Sequence, residues 1–152
     1  MNSRQDSIVP IHFGPPSETL YGVVHLPQAA PARECAIVIC PSMGYEYIQF
    51  HRALRVLAEK LCDAGFPVLR FDYYGCGDST GDSEQGTISR WLMDISSAIA
   101  EIQSRSSRPR VGLFGYRLGG ALALMAAATN PEVHAVFLWD PVVDGKDYLQ
   151  IS

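Results

Sequence analysis

The stretch that most constrains this chain is Gly115-Tyr116-Arg117-Leu118-Gly119-Gly120. It lies between the apolar run 111–114 (VGLF) and the nearly all-apolar segment 118–128. A short apolar run of this kind suits a strand buried on both faces, and a segment apolar all round suits a helix buried on every side. What joins them can only be a tight strand-to-helix turn. Gly115 and Gly119 stand two residues before and two after Arg117, where side chains in such a turn would collide with neighbouring backbone. A strand that passes at once into a helix belongs to an α/β architecture.

The rest of the chain repeats the alternation. Residues 8–13 and 20–26 read as two extended segments around the turn Gly14-Pro15-Pro16-Ser17, an N-terminal β-hairpin within residues 1–30. Residues 35–40 (CAIVIC) form a β-branched apolar run, the signature of a doubly buried strand. Phe50, Ala53, Leu54, Leu57, Ala58 and Leu61 then fall on one face of a helix that Gly65 can end. Residues 67–73 read as the next strand and 75–86 as a glycine-rich loop. Thr87 is placed to cap a helix striped by Ile88, Trp91, Leu92, Ile95, Ile99 and Ile102. Residues 133–139 (VHAVFLW) form the last strand. The expectation is one domain over residues 1–152: a mostly parallel sheet flanked by helices, with its chemistry at the carboxyl ends of the strands. Four loops qualify, beginning at Pro41, Tyr74, Gly115 and Asp140.

Composition removes several classes of function. The 152 residues are 47% apolar and 18% charged, which supports a packed core and excludes wholesale disorder. A net charge of −4 argues against a nucleic-acid partner. No apolar run approaches the roughly 18 residues of a membrane span, and the polar start 1–10 does not read as a signal peptide. Cys35, Cys40, Cys62 and Cys76 show no Cys-x-x-Cys pair, and the histidines His12, His25, His51 and His134 are scattered, so no metal is expected. Buried thiols in a reducing compartment point to the cytoplasm. Gly75-x-Gly77 begins like a dinucleotide loop, but the third glycine is misplaced at Gly81 and no helix opens there, so no cofactor is expected either.

The turn around Arg117 has the context of a nucleophile elbow, G-x-S-x-G, with arginine at the centre. Here the sequence resembles the α/β-hydrolase family, and more narrowly the exosortase A system-associated hydrolases of polysaccharide-export loci. The matching residues are CPSMGYEYIQFHRALRVLAEKL, AGFPVLRFDYYGCGDSTGD, GYRLGG and LWDPVVDG, spread over most of residues 35–145. The resemblance implies an incomplete α/β-hydrolase fold acting on carboxylic esters or thioesters. It implies that Arg117 occupies the nucleophile position and that Leu118 and either Met43 or Gly44 supply the oxyanion-binding N–H groups. It places Asp140 at one of the family's triad-acid positions and the catalytic histidine in a loop beyond Ser152. Arginine at the elbow centre is then a subfamily trait.

Guanidinium has no nucleophilic lone pair at physiological pH, so hydrolysis by the usual triad is not expected. Ser42, at the end of its strand, is a weak substitute nucleophile with no sequence-evident histidine partner; its plainer role is a turn hydroxyl. A cation at a helix N-terminus is unfavourable and calls for a carboxylate, with Asp140 the first candidate and Asp72 and Glu46 next. Two readings follow: an internal ion pair that plugs the site, or an anion pocket for a small anionic or acyl ligand such as an acidic sugar, a carboxylate or a phosphorylated headgroup. Residues 133–139 are expected to form an apolar edge strand suited to self-association or a partner protein.

Overall fold

The computed structural model describes residues 7–28 and 31–146. The polar residues 1–6 and the outer limits of the expected 1–30 and 1–152 units lie outside the described residues. Among the described residues, six strands and three long α-helices follow one another as β1 (Ile8–Phe13), β2 (Leu20–His25), β3 (Cys35–Cys40), α1 (Tyr45–Asp63), β4 (Val68–Phe71), α2 (Ile88–Ser106), β5 (Arg110–Tyr116), α3 (Leu118–Thr129) and β6 (Val133–Trp139), with a short 3-10 turn at Ser83–Gln85 before α2. They form one sheet in the order β1-β2-β4-β3-β5-β6. The hairpin β1–β2 is antiparallel and joins the sheet antiparallel to β4, while β3, β4, β5 and β6 pair in parallel.

Local chemistry accounts for the boundaries. Thr87 caps α2 as expected: its hydroxyl accepts the Arg90 N–H at 3.1 Å. Gly65 takes φ +101° just past α1, and the Gly65 and Phe66 N–H groups return to the Cys62 and Leu61 carbonyls at 2.9 and 3.0 Å. This is a Schellman closure, which needs a left-handed residue at that place. A Cβ on Gly65 would stand 2.4 Å from the Pro31 carbonyl oxygen.

One boundary differs in a way that matters. The apolar stripe of α1 begins at Phe50, but the helix begins at Tyr45. Its first turn leaves Tyr45 and Ile48 exposed, so hydrophobic periodicity does not register it. That turn carries Glu46 and Tyr47 to the carboxyl end of the sheet.

The two sheet faces are unequal. On one, Ile95, Ile99 and Ile102 of α2 and Leu122, Ala123 and Ala126 of α3 pack on Val38, Leu69, Phe71, Val111 and Leu113. On the other, Leu54 and Ala58 of α1 cover only Ile37, Ile39 and Val68. An apolar groove of about 510 Å³ remains beside α1, bordered by Leu57, Leu61, Phe66, Phe114, Ala135 and Phe137. Phe137 in β6 is 53% exposed. Among the described residues no helix is long and apolar enough to cross a membrane.

Candidate functional site

The β5–α3 turn is built as its glycines require. A Cβ on Gly115 would lie 2.4 Å from the Gly120 Cα, and one on Gly119 would lie 2.1 Å from the Cys40 carbonyl oxygen. Real Cβ atoms do not approach backbone so closely, so these two positions accept glycine alone. Arg117, between them, is held at φ +53°, ψ −120° as the residue before α3. Its N–H donates to the Trp139 carbonyl at 3.1 Å. Its own carbonyl accepts from Gly120 at 3.0 Å and from Val142 at 3.1 Å. A non-glycine residue at positive φ costs of order 1–3 kcal/mol and persists only where its surroundings fix it.

The Arg117 side chain is held from two sides. Its Nε donates to Glu46 Oε2 at 2.7 Å, and its Nη1 reaches Asp140 Oδ2 and the Asp140 carbonyl, each at 3.2 Å. Arg117 and Glu46 side chains are each 19% exposed, whereas Asp140 is 71% exposed, so Glu46 is the stronger partner. The hydrogen bond that Arg117 donates to Glu46, together with the carboxylate's charge, raises the Arg117 pKa above its ordinary value, against a smaller cost of burial. Glu46 lies in the first turn of α1 and thereby offsets two helix N-termini at once, that of α1 and that of α3. Ser42 is buried, and its hydroxyl donates to Glu46 Oε1 at 3.4 Å, a long contact.

The structure thus brings Arg117, Asp140, Glu46 and Ser42 together at the carboxyl ends of β3, β5 and β6. Leu118 opens α3, and Met43 and Gly44 form the link from β3 to α1. Gly44 takes φ +62° there, with open space where a Cβ would be. Asp72 is a correction: it does not reach Arg117. It accepts the Tyr47 hydroxyl at 2.6 Å and the Asp78 N–H at 3.0 Å, and its carbonyl accepts the Ser79 hydroxyl at 2.6 Å. These bonds tie the glycine-rich loop to β4 and α1. Burial and the Asp72 contact push the Tyr47 hydroxyl pKa far above its usual range.

No imidazole joins Ser42 among the described residues. His51 sits against Tyr47 with ring centroids 5.5 Å apart, His12 lies against Tyr21, and His134 stands beside the groove of β6. Sequence reading missed an aromatic wall next to the turn. The rings of Phe50, Tyr116 and Trp139 stand 4.4, 5.2 and 5.9 Å apart in pairs. Phe50 had been visible only as a member of the α1 stripe.

Known proteins resemble this chain in sequence and in fold. A family model described as serine aminopeptidase, S33 matches residues 31–152. Among curated proteins, the human mitochondrial palmitoyl-protein thioesterase ABHD10 is 38% identical over 88 residues, which is 57% of this chain and 28% of that protein. An uncharacterized 31.7 kDa protein from the traX-finO intergenic region of Escherichia coli is 34% identical over 94 residues, 60% of this chain and 33% of that protein. The chain therefore spans about a third or less of the length of these curated relatives. Among solved structures, hypothetical protein PA2218 from Pseudomonas aeruginosa superposes with a TM-score of 0.76 at 26% identity, covering 89% of this chain and 43% of that one. XC6422 from Xanthomonas campestris, described as an a/b serine hydrolase without lid, superposes with a TM-score of 0.73 at 19% identity, covering 87% of this chain and 60% of that one.

Proposed function

The chain belongs to the serine aminopeptidase S33 family of α/β-hydrolases, and from that premise we propose that its elbow site binds an acyl ligand without cleaving it by the usual serine route. One observation carries this reading: the elbow centre is Arg117, clamped by Glu46 and Asp140. Ester or thioester cleavage on this fold needs an attacking oxygen at that atom position, and guanidinium offers no lone pair. A histidine base contributed from anywhere else leaves the conclusion unchanged, because at residue 117 there is no hydroxyl for it to deprotonate.

The remaining parts of the site suit binding. Backbone N–H groups of Leu118 and of Met43 or Gly44 are the donors for an acyl carbonyl oxygen, and Phe50, Tyr116 and Trp139 are the apolar wall beside it. Of the two roles open to Arg117, the plug has the better support. Its Nε and Nη1 already hold carboxylates, so a free anion would compete with both of them for the guanidinium. The names of relatives, a palmitoyl-protein thioesterase and a monoglyceride lipase homologue, make fatty acyl chains the ligand class to try first.

The test is p-nitrophenyl butyrate turnover. Removing a triad serine costs on the order of 10⁶ in rate, so the parent chain is expected to match buffer. Ser42→Ala should change nothing. Turnover in the parent that disappears in Ser42→Ala would transfer the nucleophile to Ser42, whose contact with Glu46 is the one observation favouring that second reading.

The narrower resemblance sets this role in polysaccharide export, as an accessory subunit. The four free cysteines fit a reducing, cytoplasmic compartment. In the same proposal β6 is covered in the working protein by self-association, since Phe137, Leu138 and Trp139 are all exposed along it. Sedimentation should show mass rising with concentration across the micromolar range, and Phe137→Lys should abolish the rise. A monomer at every concentration removes the self-association.

A further inference from the structure

A second cavity lies under α1, away from Arg117. It has a volume of about 180 Å³ and sits between α1 and the strands β2, β4 and β3. Arg70 projects into it from β4, on the same face as Val68, which packs under Leu54 and Ala58. The strand has neighbours on both sides, with Arg70 opposite Val23 in β2 and Ile39 in β3. A guanidinium here stands in the middle of a sheet beneath a helix.

Such a charge normally brings its counter-ion with it, because an unpaired buried cation is costly. Arg70 has none. Its Nε donates to the neutral His25 Nε2 at 3.0 Å, and among the described residues it forms no ion pair. Its nearest cation makes matters worse. Arg55, one helical turn after His51 on α1, lines the same cavity, and its own contact with Glu59 is long, at 3.9 Å. Burial first, and then the like charge of Arg55, pull the Arg70 pKa below its ordinary value.

The remaining wall defines what would relieve this. Ile39 and Leu54 supply an apolar floor. Asp72 and Asp78 also face the cavity. Both oxygens of Asp72 are engaged, by the Tyr47 hydroxyl and the Asp78 N–H, while Asp78 is exposed at the wall. A doubly charged phosphate would meet that carboxylate, and a singly charged ligand meets it at lower cost. We propose that this cavity binds a monocarboxylate, whose carboxylate bridges Arg55 and Arg70 and whose apolar body rests on Ile39 and Leu54. Guanidinium forks match a carboxylate geometrically. This site is separate from the elbow, and its occupancy does not depend on what residue 117 does.

Benzoate is the probe, benzamide its neutral counterpart, and the shifts of the His51 and Tyr47 ring resonances are the readout. Benzoate should shift both rings with a Kd no weaker than about 10 mM, and benzamide should not. Arg55→Gln removes one fork at an exposed helix position and should weaken benzoate about tenfold with the fold intact. The proposal fails if no shift appears, if benzamide binds as well as benzoate, or if Arg55→Gln keeps full affinity. Inorganic phosphate that displaces benzoate at equal concentration would overturn the choice of a monocarboxylate.

Discussion

Gly119→Ala should destabilise the protein by about 3 kcal/mol or more, a large part of the roughly 5–15 kcal/mol that holds a domain of this size together. The added methyl would lie 2.1 Å from the Cys40 carbonyl oxygen and 2.5 Å from that of Pro41. Overpacking against side chains typically costs 1–3 kcal/mol, because rotamers can adjust. Here the obstacle is backbone at the end of β3, and Cys40 is locked in register opposite Gly115 of β5. Relief requires either β3 or α3 to move, and each is packed into the larger core. Gly112→Ala is the matched control. It lies in the same strand as Gly115, its nearest neighbour would be a ring carbon of Phe137 at 3.6 Å, and its backbone is not in the left-handed region. Urea unfolding should therefore show a large fall in midpoint for Gly119→Ala and a small change for Gly112→Ala. Equal midpoints would mean that the turn around Arg117 is not packed against β3, and the site built on it would be lost as well.

That turn was legible because its information is local. Glycines two before and two after the centre, a buried strand upstream and a buried helix downstream are all properties of consecutive residues. The strands and the Thr87 cap were legible for the same reason. The clamp on Arg117 was only partly so. Asp140 adjoins the turn through strand order, but Glu46 reaches it because α1 begins five residues before its apolar stripe. An exposed first turn leaves no hydrophobic period to read. Asp72 was misjudged because its carboxylate is taken by Tyr47, a residue of that same unread turn. Asp94 illustrates the general limit. It sits on α2 among isoleucines, yet it is 2% exposed and accepts the Tyr74 N–H at 2.8 Å, with Arg90 at 3.3 Å and Arg90 in turn on Glu18 at 2.6 Å. Buried polar networks of this kind depend on which loops meet, and composition does not encode that.

Acidification from pH 7.5 to 4.5 should cost the fold about 2–3 kcal/mol through His25 alone. The imidazole is 1% exposed in β2. Its Nε2 accepts from Arg70, so its proton sits on Nδ1, which has no hydrogen-bond partner among the described residues. Protonation would forfeit the acceptor and set an imidazolium against a guanidinium inside the sheet. Burial first, then the charge of Arg70, lower its pKa from 6.5 to about 4. The sign follows from proton counts. Between about 4 and 6.5 the unfolded chain binds a proton that the folded chain refuses, so the unfolded state gains as pH falls through that window. Above 6.5 both states are neutral and the full stability is present. Other groups titrate in this range too, so the informative quantity is a difference. His25→Gln keeps a carbonyl that can accept from Arg70 and removes the titration. The pH dependence of urea stability between 4.5 and 7.5 should be shallower in His25→Gln than in the parent by that 2–3 kcal/mol. Parallel curves would show that His25 is protonated without penalty, and that the lone guanidinium beside it is not as confined as its place in the sheet requires.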